Sequence, residues 1–171
     1  MNTILVDLFR HHRWANEQML AACLALTADQ LATETPGTYG RLDRTLRHLA
    51  RAEGWYLNLL AGWTDPEGDV LARGTTDFPG VPWLMEWMRR TGDALVDVAR
   101  SMTPDATIRD EDGRPYPAWV VLLQAAYHAT EHRQQIATAL ASLGIEPPEP
   151  DLWAFQEARE RGEVEVEPGS A

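Results

Sequence analysis

Four stretches of the chain carry hydrophobic residues every three or four positions, which is the spacing of one helix face. The first predicted helix runs from about Thr3 to Leu26 and the second from about Asp43 to Ala61, with a Thr-Pro-Gly break at residues 35–37 between them. The third begins at Pro82 and ends at residues 103–104, and the fourth runs from Pro117 to Leu143. The pattern therefore predicts an all-α fold, a four-helix bundle. The predicted core stripe of the first helix is Ile4, Leu8, His12, Ala15, Met19, Ala22 and Leu26.

The segments outside these helices also carry signals. Residues 62–81 hold four glycines, two prolines and four acidic residues, which predicts a long loop, and loops of that length in compact domains are usually functional or mobile. Asp112-Gly113 is a turn signal, so a short hairpin is predicted over residues 107–117. A last short helix is predicted over residues 152–160, and residues 163–171 are expected to be frayed.

The fourth predicted helix is apolar around most of its circumference. Between Ala118 and Ala129 the only strongly polar residues are Gln124 and His128. A helix of this kind is buried on more than one side, whereas each helix of a single bundle has one face in solvent. A subunit interface explains the excess most simply, and cover by a loop or by the tail is the alternative.

Composition narrows the possible functions. The length of 171 residues indicates one domain, a bundle over residues 1–155 followed by an acidic, partly disordered tail over residues 156–171. All fifteen basic residues are arginines and the net charge is −11, which argues against nonspecific binding to nucleic acid or to an anionic membrane. No apolar run approaches the ~18–20 residues of a membrane span, and residues 1–4 lack the basic start of a signal peptide, so we expect a cytoplasmic protein. Cys23 is the only cysteine, which excludes an intrachain disulfide and a cysteine-based zinc site.

Three of the five histidines suggest a metal site. His128 and His132 are four residues apart, so their side chains point the same way from one helix. His48 shares a side of the second helix with apolar residues, and the three imidazoles can converge if helices two and four are neighbours. Three neutral ligands leave a coordination position open, as in catalytic zinc sites. A water or a thiol bound at that position would be acidified.

Several residues near this candidate site are ambiguous. Glu131 could be a general base, orient a ligand or lie at a polar rim. Residues 128–132 match the H-x-x-E-H pattern of inverzincin proteases, which also need a downstream acidic ligand and a substrate-binding sheet. His12 lies in the predicted core stripe and His11 lies off it, and each is best interpreted as a hydrogen-bonded core or rim histidine. His12 could alternatively act near the site, and Trp55, two turns after His48, is expected to line a pocket.

The order and spacing of several short motifs resemble the DinB/YfiT-like family of metal-binding four-helix bundles. The resemblance extends from residue 3 to about 155, and its motifs are Arg13–Asn16, Thr45–Leu49 followed by Trp55–Leu57, His128–Ile136, and Leu143–Ile145 with Pro147, Pro148 and Asp151. Two positions depart from the family pattern. Glu131 replaces a histidine that often precedes the third ligand, and Gln134 replaces a glycine that often follows the arginine.

The resemblance implies a fold, a metal and an assembly. It implies that His48, His128 and His132 bind a divalent transition metal, with zinc or nickel favoured. It also implies an up-down-down-up bundle whose long crossover, residues 62–81, joins helices two and three, and a homodimer formed through helices one and four. Members of the family with known activity are metal-dependent S-transferases of bacillithiol or similar small thiols, or mycothiol-dependent isomerases of maleylpyruvate.

These observations favour a metal-dependent enzyme that activates a low-molecular-weight thiol for S-transfer to an electrophile in a stress response or detoxification. In this hypothesis Glu131, His12 or a metal-bound water moves protons, and an arginine such as Arg51 or Arg133 binds a carboxylate of the cofactor. The alternatives are a thiol-dependent isomerase of the maleylpyruvate type, a non-enzymatic stress-induced metal-binding dimer, and a plain helical interaction protein.

Overall fold

A computed structural model describes residues 3–72, 74–103, 105–110 and 112–164 of the chain. Its elements in chain order are α1 Thr3–Cys23, α2 Ala28–Leu31, α3 Leu42–Ala61, a 3₁₀ helix Pro66–Leu71, α4 Val81–Ser101, β1 Thr107–Arg109, β2 Pro115–Pro117, α5 Ala118–Ser142 and α6 Leu152–Glu160. The four long helices α1, α3, α4 and α5 confirm the predicted all-α bundle. The antiparallel pairing of β1 with β2 is the hairpin expected over residues 107–117.

The end of the chain packs further than the predicted bundle boundary. α6 runs through the boundary predicted between residues 155 and 156, and both Phe155 and Ala158 are buried. The frayed tail predicted for residues 163–171 lies outside the described residues from residue 165 onward.

The first helix differs from its prediction in length and in its buried face. α1 ends at Cys23 because Thr27 starts a new helix, in which a capping box with Gln30 satisfies two backbone N–H groups. Ile4, predicted to be in the core, is 82% exposed. The buried face includes His12, as predicted, and also Asn16, a polar residue that a search for hydrophobic spacing does not count. The residues buried along α1 are Val6, Phe9, His11, His12, Ala15, Asn16, Met19, Leu20 and Cys23.

Contacts between the long helices establish the up-down-down-up order. α1 and α3 each pack chiefly against α4 and α5, so α1 and α3 lie diagonally opposite. Two hydrogen bonds show that α3 and α4 are parallel. Trp87 donates to the carbonyl oxygen of Ala50. One turn further along both helices, Thr91 donates to Glu53. Because α3 and α4 are parallel, the end of α3 and the start of α4 lie at opposite ends of the bundle, and the connection between them must span its length. Residues 62–80 form this connection, which we call the crossover.

Two hydrophobic clusters fill the bundle, one toward each end of the helices. One cluster contains Met19, Leu46, Leu84, Ile136 and Leu140, and the other contains Val6, Phe9, Leu57, Leu95 and Leu122. None of the helices in the described part of the chain is long and apolar enough to span a membrane.

A buried polar layer, formed by His12, Asn16, Glu53, Thr91 and Arg133, lies between the two clusters. Oε2 of Glu53 accepts hydrogen bonds from Nε2 of His12 at 2.7 Å and from Nδ2 of Asn16 at 3.0 Å, and Oε1 accepts one from the Thr91 hydroxyl. Nη1 of Arg133 donates to Oδ1 of Asn16 at 2.8 Å. Each of the four long helices therefore contributes to the bonding of one buried carboxylate.

We expect the substitution Glu53→Gln to lower the free energy of unfolding by about 3 kcal/mol, because it removes the buried negative charge that Arg133 and His12 face. The measurement is urea denaturation followed by circular dichroism. The control is Glu131→Gln, which removes an exposed carboxylate from α5 and should change stability by less than about 0.5 kcal/mol. Equal stabilities of the two variants would contradict the structural role of the polar layer.

Candidate metal centre

The antiparallel packing of α3 against α5 brings three histidines together. His48 lies on α3, and His128 and His132 lie one turn apart on α5. Nε2 of His128 is 3.0 Å from Nε2 of His48 and 3.1 Å from Nε2 of His132. Among the described residues these three form the one cluster of histidine, cysteine or acidic side chains that could hold a metal ion. We call them the histidine triad.

The protonation of His48 and His128 suits metal binding. Burial, followed by the charges of neighbouring histidines, lowers the pKa of His48 to about 4, and burial with the charge of His132 does the same for His128. Both imidazoles are therefore neutral near pH 7 and each has a lone pair to donate.

The tautomer of His132 is set by Gln135, which lies one turn further along α5. The backbone N–H of Tyr39 donates to Oε1 of Gln135 at 3.2 Å, which identifies this atom as the amide oxygen. Nδ1 of His132 is 2.9 Å from the same oxygen and must therefore carry the proton that it donates. The lone pair of His132 then lies on Nε2, the atom that faces the other two histidines, and this is the usual arrangement around a metal-binding histidine.

The donor set fits a divalent transition metal. In a tetrahedral zinc site with Zn–N bonds of 2.0–2.1 Å, ligand nitrogens lie about 3.3–3.4 Å apart, and the two close Nε2 separations in the triad are within a few tenths of an ångström of that value. With three ligands from the described residues, a tetrahedral ion would keep one position for water or substrate.

Two tyrosines pack against the imidazole rings. Tyr39 stacks on His48 with ring centroids 4.2 Å apart, and it meets His132 edge-on at 5.4 Å. Tyr56 meets His128 edge-on at 5.8 Å, and burial raises the pKa of its phenol. These contacts hold the rings of the triad in place from both the loop before α3 and the body of α3.

A cavity of about 640 Å³, which we call the aromatic cavity, opens beside His48 and His128. Its walls include Trp55, Tyr56, Trp63 and Trp87, so Trp55 lines a pocket as the sequence predicted. Glycines allow Trp87 to lie this close to the chain. A Cβ atom at Gly54 would be 2.9 Å from its ring, and one at Gly68 would be 2.4 Å from it.

A smaller pocket of about 360 Å³, which we call the basic pocket, lies on another side of His48. Arg44, Arg47 and Arg51 line it together with Tyr39 and part of the crossover. Arg51 also lines the aromatic cavity, so it borders both spaces beside the triad.

The structure separates the two residues predicted to move protons. Glu131 is exposed on α5 between His128 and His132, and its charge helps to raise the pKa of Tyr56. His12 is buried in the polar layer, where it donates to Glu53. Catalytic roles for Glu131 and His12 stay predictions. Arg133, one of the two arginines suggested as a carboxylate ligand, is also committed to the polar layer, and burial lowers its pKa to about 10.

His11 has a structural position at the rim of the bundle. Its Nε2 donates to the carbonyl oxygen of Pro150 at 2.8 Å, and its ring packs edge-on against Phe155 of α6 at 5.5 Å. His11 thus fastens the closing segment of the chain to α1, as expected for a hydrogen-bonded rim histidine.

The sequence pattern gave no signal for Tyr39 or Glu53, and Asn16 and Gln135 appeared only inside the motifs at residues 13–16 and 128–136, without a role. Gln135 could have been found, because a residue three positions after His132 lies on the same helix face. Tyr39 lies in a loop, where no periodicity applies. The protease hypothesis gains no support, since the third member of the triad is a histidine on another helix and the only sheet in the described residues is the two-stranded hairpin.

The fold and the site together define an all-α bundle with three convergent histidines between two of its helices. The family model of the DinB family matches residues 1–163, and the chain therefore belongs to the DinB family. The crystal structure of a DinB-like protein from Bacillus cereus ATCC 10987 has the same fold, with a TM-score of 0.61 and 21% sequence identity over 85% of this chain and 94% of that chain. No curated protein shows significant sequence similarity to the chain.

We expect Gln135→Leu to weaken metal binding by about 10- to 100-fold, because it removes the acceptor that fixes the proton of His132 on Nδ1. The measurement is competition of the purified protein with a chelator for Zn²⁺. Gln134→Leu is the matched control, since Gln134 is exposed beside it. Equal affinities of the two variants would show that Gln135 does not orient the ligand.

The stability of the metal-free protein should depend on pH through the triad. In the unfolded chain, His48 and His128 take up protons near pH 6.5, whereas in the folded protein they do so near pH 4. The unfolded state binds more protons between these values, so stability should fall as the pH is lowered from about 6.5 to about 4. Urea midpoints measured across this range in the presence of a chelator test the prediction. A His48→Gln/His128→Gln double variant should lose less stability, and an identical loss would contradict it.

Proposed function

We propose that this DinB-family chain is a metal-dependent enzyme that transfers a low-molecular-weight thiol to an electrophile. One observation carries the proposal: three lone-pair nitrogens converge at the edge of a cavity large enough for a second reactant. A site that served structure alone would be expected to be closed by a fourth ligand, as structural zinc sites are.

Different residues of the chain would bind the metal, accept the thiol proton and hold the electrophile. His48, His128 and His132 would hold a divalent metal, whose charge would lower the pKa of a thiol at the site. The thiol proton would pass to the carboxylate of Glu131 or to water. The new carbon–sulfur bond would form as the bond between that carbon and its leaving group breaks. The aromatic cavity would hold the apolar body of the electrophile and exclude water from it.

A second proposal concerns assembly. We infer that two copies of the chain pair through α1 and α5. Large apolar side chains are exposed on the first half of α5, where Leu123 is 41% and Tyr127 is 63% exposed, and Ile4 is exposed on α1. A second copy would remove this surface from water. A cytoplasmic location and a role in the stress response remain predictions from composition and family resemblance.

The experiment that tests the function begins with protein purified without a nickel column and reconstituted with Zn²⁺ or Ni²⁺. Metal content is determined by mass spectrometry, and conjugation of thiols to monochlorobimane is followed by fluorescence. We expect about one metal per chain. We also expect thiol to be consumed in equal amount to the product, since the sulfur becomes part of it.

The variants His48→Ala, His128→Ala and His132→Ala should each lose metal and conjugation while keeping the helical circular dichroism spectrum. His11→Ala, which lies outside the triad, is the control and should retain both. Conjugation that survives loss of the metal would overturn the proposal. A reaction that rearranges an added maleylpyruvate-type acid without consuming thiol would favour the isomerase instead.

A further inference from the structure

One face of α3 next to the histidine triad carries three arginines. Arg44, Arg47 and Arg51 follow each other at spacings of three and four residues and flank His48. Like charges at this spacing on a helix repel one another. Local stability does not account for this cluster.

Only one of the three arginines has a structural role in the described part of the chain. Arg47 holds the crossover against α3, because its Nη2 donates to the carbonyl oxygens of Val70 and Ala72 at 3.1 Å each and to the Thr75 hydroxyl. Arg44 and Arg51 make no hydrogen bond or ion pair with any described residue. Elsewhere in the chain, arginines such as Arg13 and Arg90 pair with carboxylates.

Arg51 lies close enough to the histidine triad for its charge to act on a molecule bound there. Arg51 lines the basic pocket and the aromatic cavity, and His48 lines both as well. The acidic residues Asp65 and Asp69 line the aromatic cavity and not the basic pocket, and Asp65 is already paired with Arg90 at 2.6 Å. The basic pocket therefore presents guanidinium groups in a chain whose net charge is −11.

We propose that the basic pocket binds an anionic group of the thiol substrate, with Arg51 as its main ligand and Arg44 as a second. A guanidinium binds a carboxylate through two parallel hydrogen bonds, which fixes the orientation of the bound molecule as well as its place. The anionic group would lie on one side of His48 with the sulfur at the triad, and the electrophile would lie in the aromatic cavity. This inference rests on the proposed function and specifies the class of thiol.

The test uses thiols that share a carbon spacer and carry an anionic, a neutral or a cationic end group. Cobalt(II)-loaded protein is titrated with 3-mercaptopropionate, 2-mercaptoethanol and cysteamine, and with the six-carbon members of the same three series. Binding is followed by the thiolate-to-cobalt absorption band. For at least one length we expect the carboxylate to bind about 10- to 100-fold more tightly than the alcohol, and the amine to bind most weakly.

Arg51→Gln should abolish the preference for the carboxylate while leaving the affinity for the alcohol and the urea midpoint unchanged. Arg114→Gln is the matched control, because it removes the same charge from the hairpin and lines none of the cavities beside the triad. Equal affinities for carboxylate and alcohol at both lengths, or an equal loss of both in Arg51→Gln, would overturn the basic pocket as an anion site.

A second measurement tests anion binding in the basic pocket independently of the proposed thiol chemistry. Succinate is titrated into the metal-free protein, and backbone amide shifts are followed by NMR. Shifts confined to residues 44–51, 72 and 74–76, and lost in Arg51→Gln, would support the pocket. If these shifts appeared but no thiol gave the cobalt band, only the proposed thiol chemistry would fail. A cobalt band without any charge preference or succinate shift would support the thiol chemistry and overturn the anion site.

Discussion

The carboxylate of Glu53, buried at the centre of the bundle, is the constraint on which the rest of the structure depends. A carboxylate removed from water must be hydrogen-bonded and matched by positive charge, and here each long helix supplies part of that environment. His48 lies five residues before Glu53 on α3, and His132 directly precedes Arg133 on α5. A slip of either helix by one turn, about 5.4 Å, would break the polar layer and separate the triad together.

The surroundings of the buried histidines differ between the polar layer and the triad. His12 is fully buried and hydrogen-bonded to an acidic partner, Glu53, in the polar layer. His48 and His128 are half-buried, and burial lowers their pKa values, while no carboxylate of the described residues is hydrogen-bonded to either ring. A donor set of neutral imidazoles leaves the charge of a bound cation uncompensated, which is the condition under which a coordinated thiol or water is most acidified.

The sequence was sufficient for most of the helices and for the three histidines, and the reasons are physical. Apolar spacing located α3, α4 and α5 within a few residues, because those helices bury hydrophobic faces. It placed the buried face of α1 partly in error, because it included the exposed Ile4 and missed the buried polar Asn16, which bonds a residue 37 positions away. The pairing of α3 with α5 followed from family resemblance, since no periodic pattern tells which helices are neighbours.

The crossover, which the helix order requires, also forms part of the walls of the two pockets beside the triad. A parallel α3 and α4 require a connection that spans the bundle, and this connection passes beside the triad on its way. Trp63 and Gly68 border the aromatic cavity, whereas Ala72 and Thr75 border the basic pocket. The helices that hold the triad are fixed by the polar layer, but the crossover is held by Arg47 and by the ion pairs of Arg90. Substitutions in the crossover can therefore alter which molecules fit beside the triad without disturbing the registry of the helices that form it.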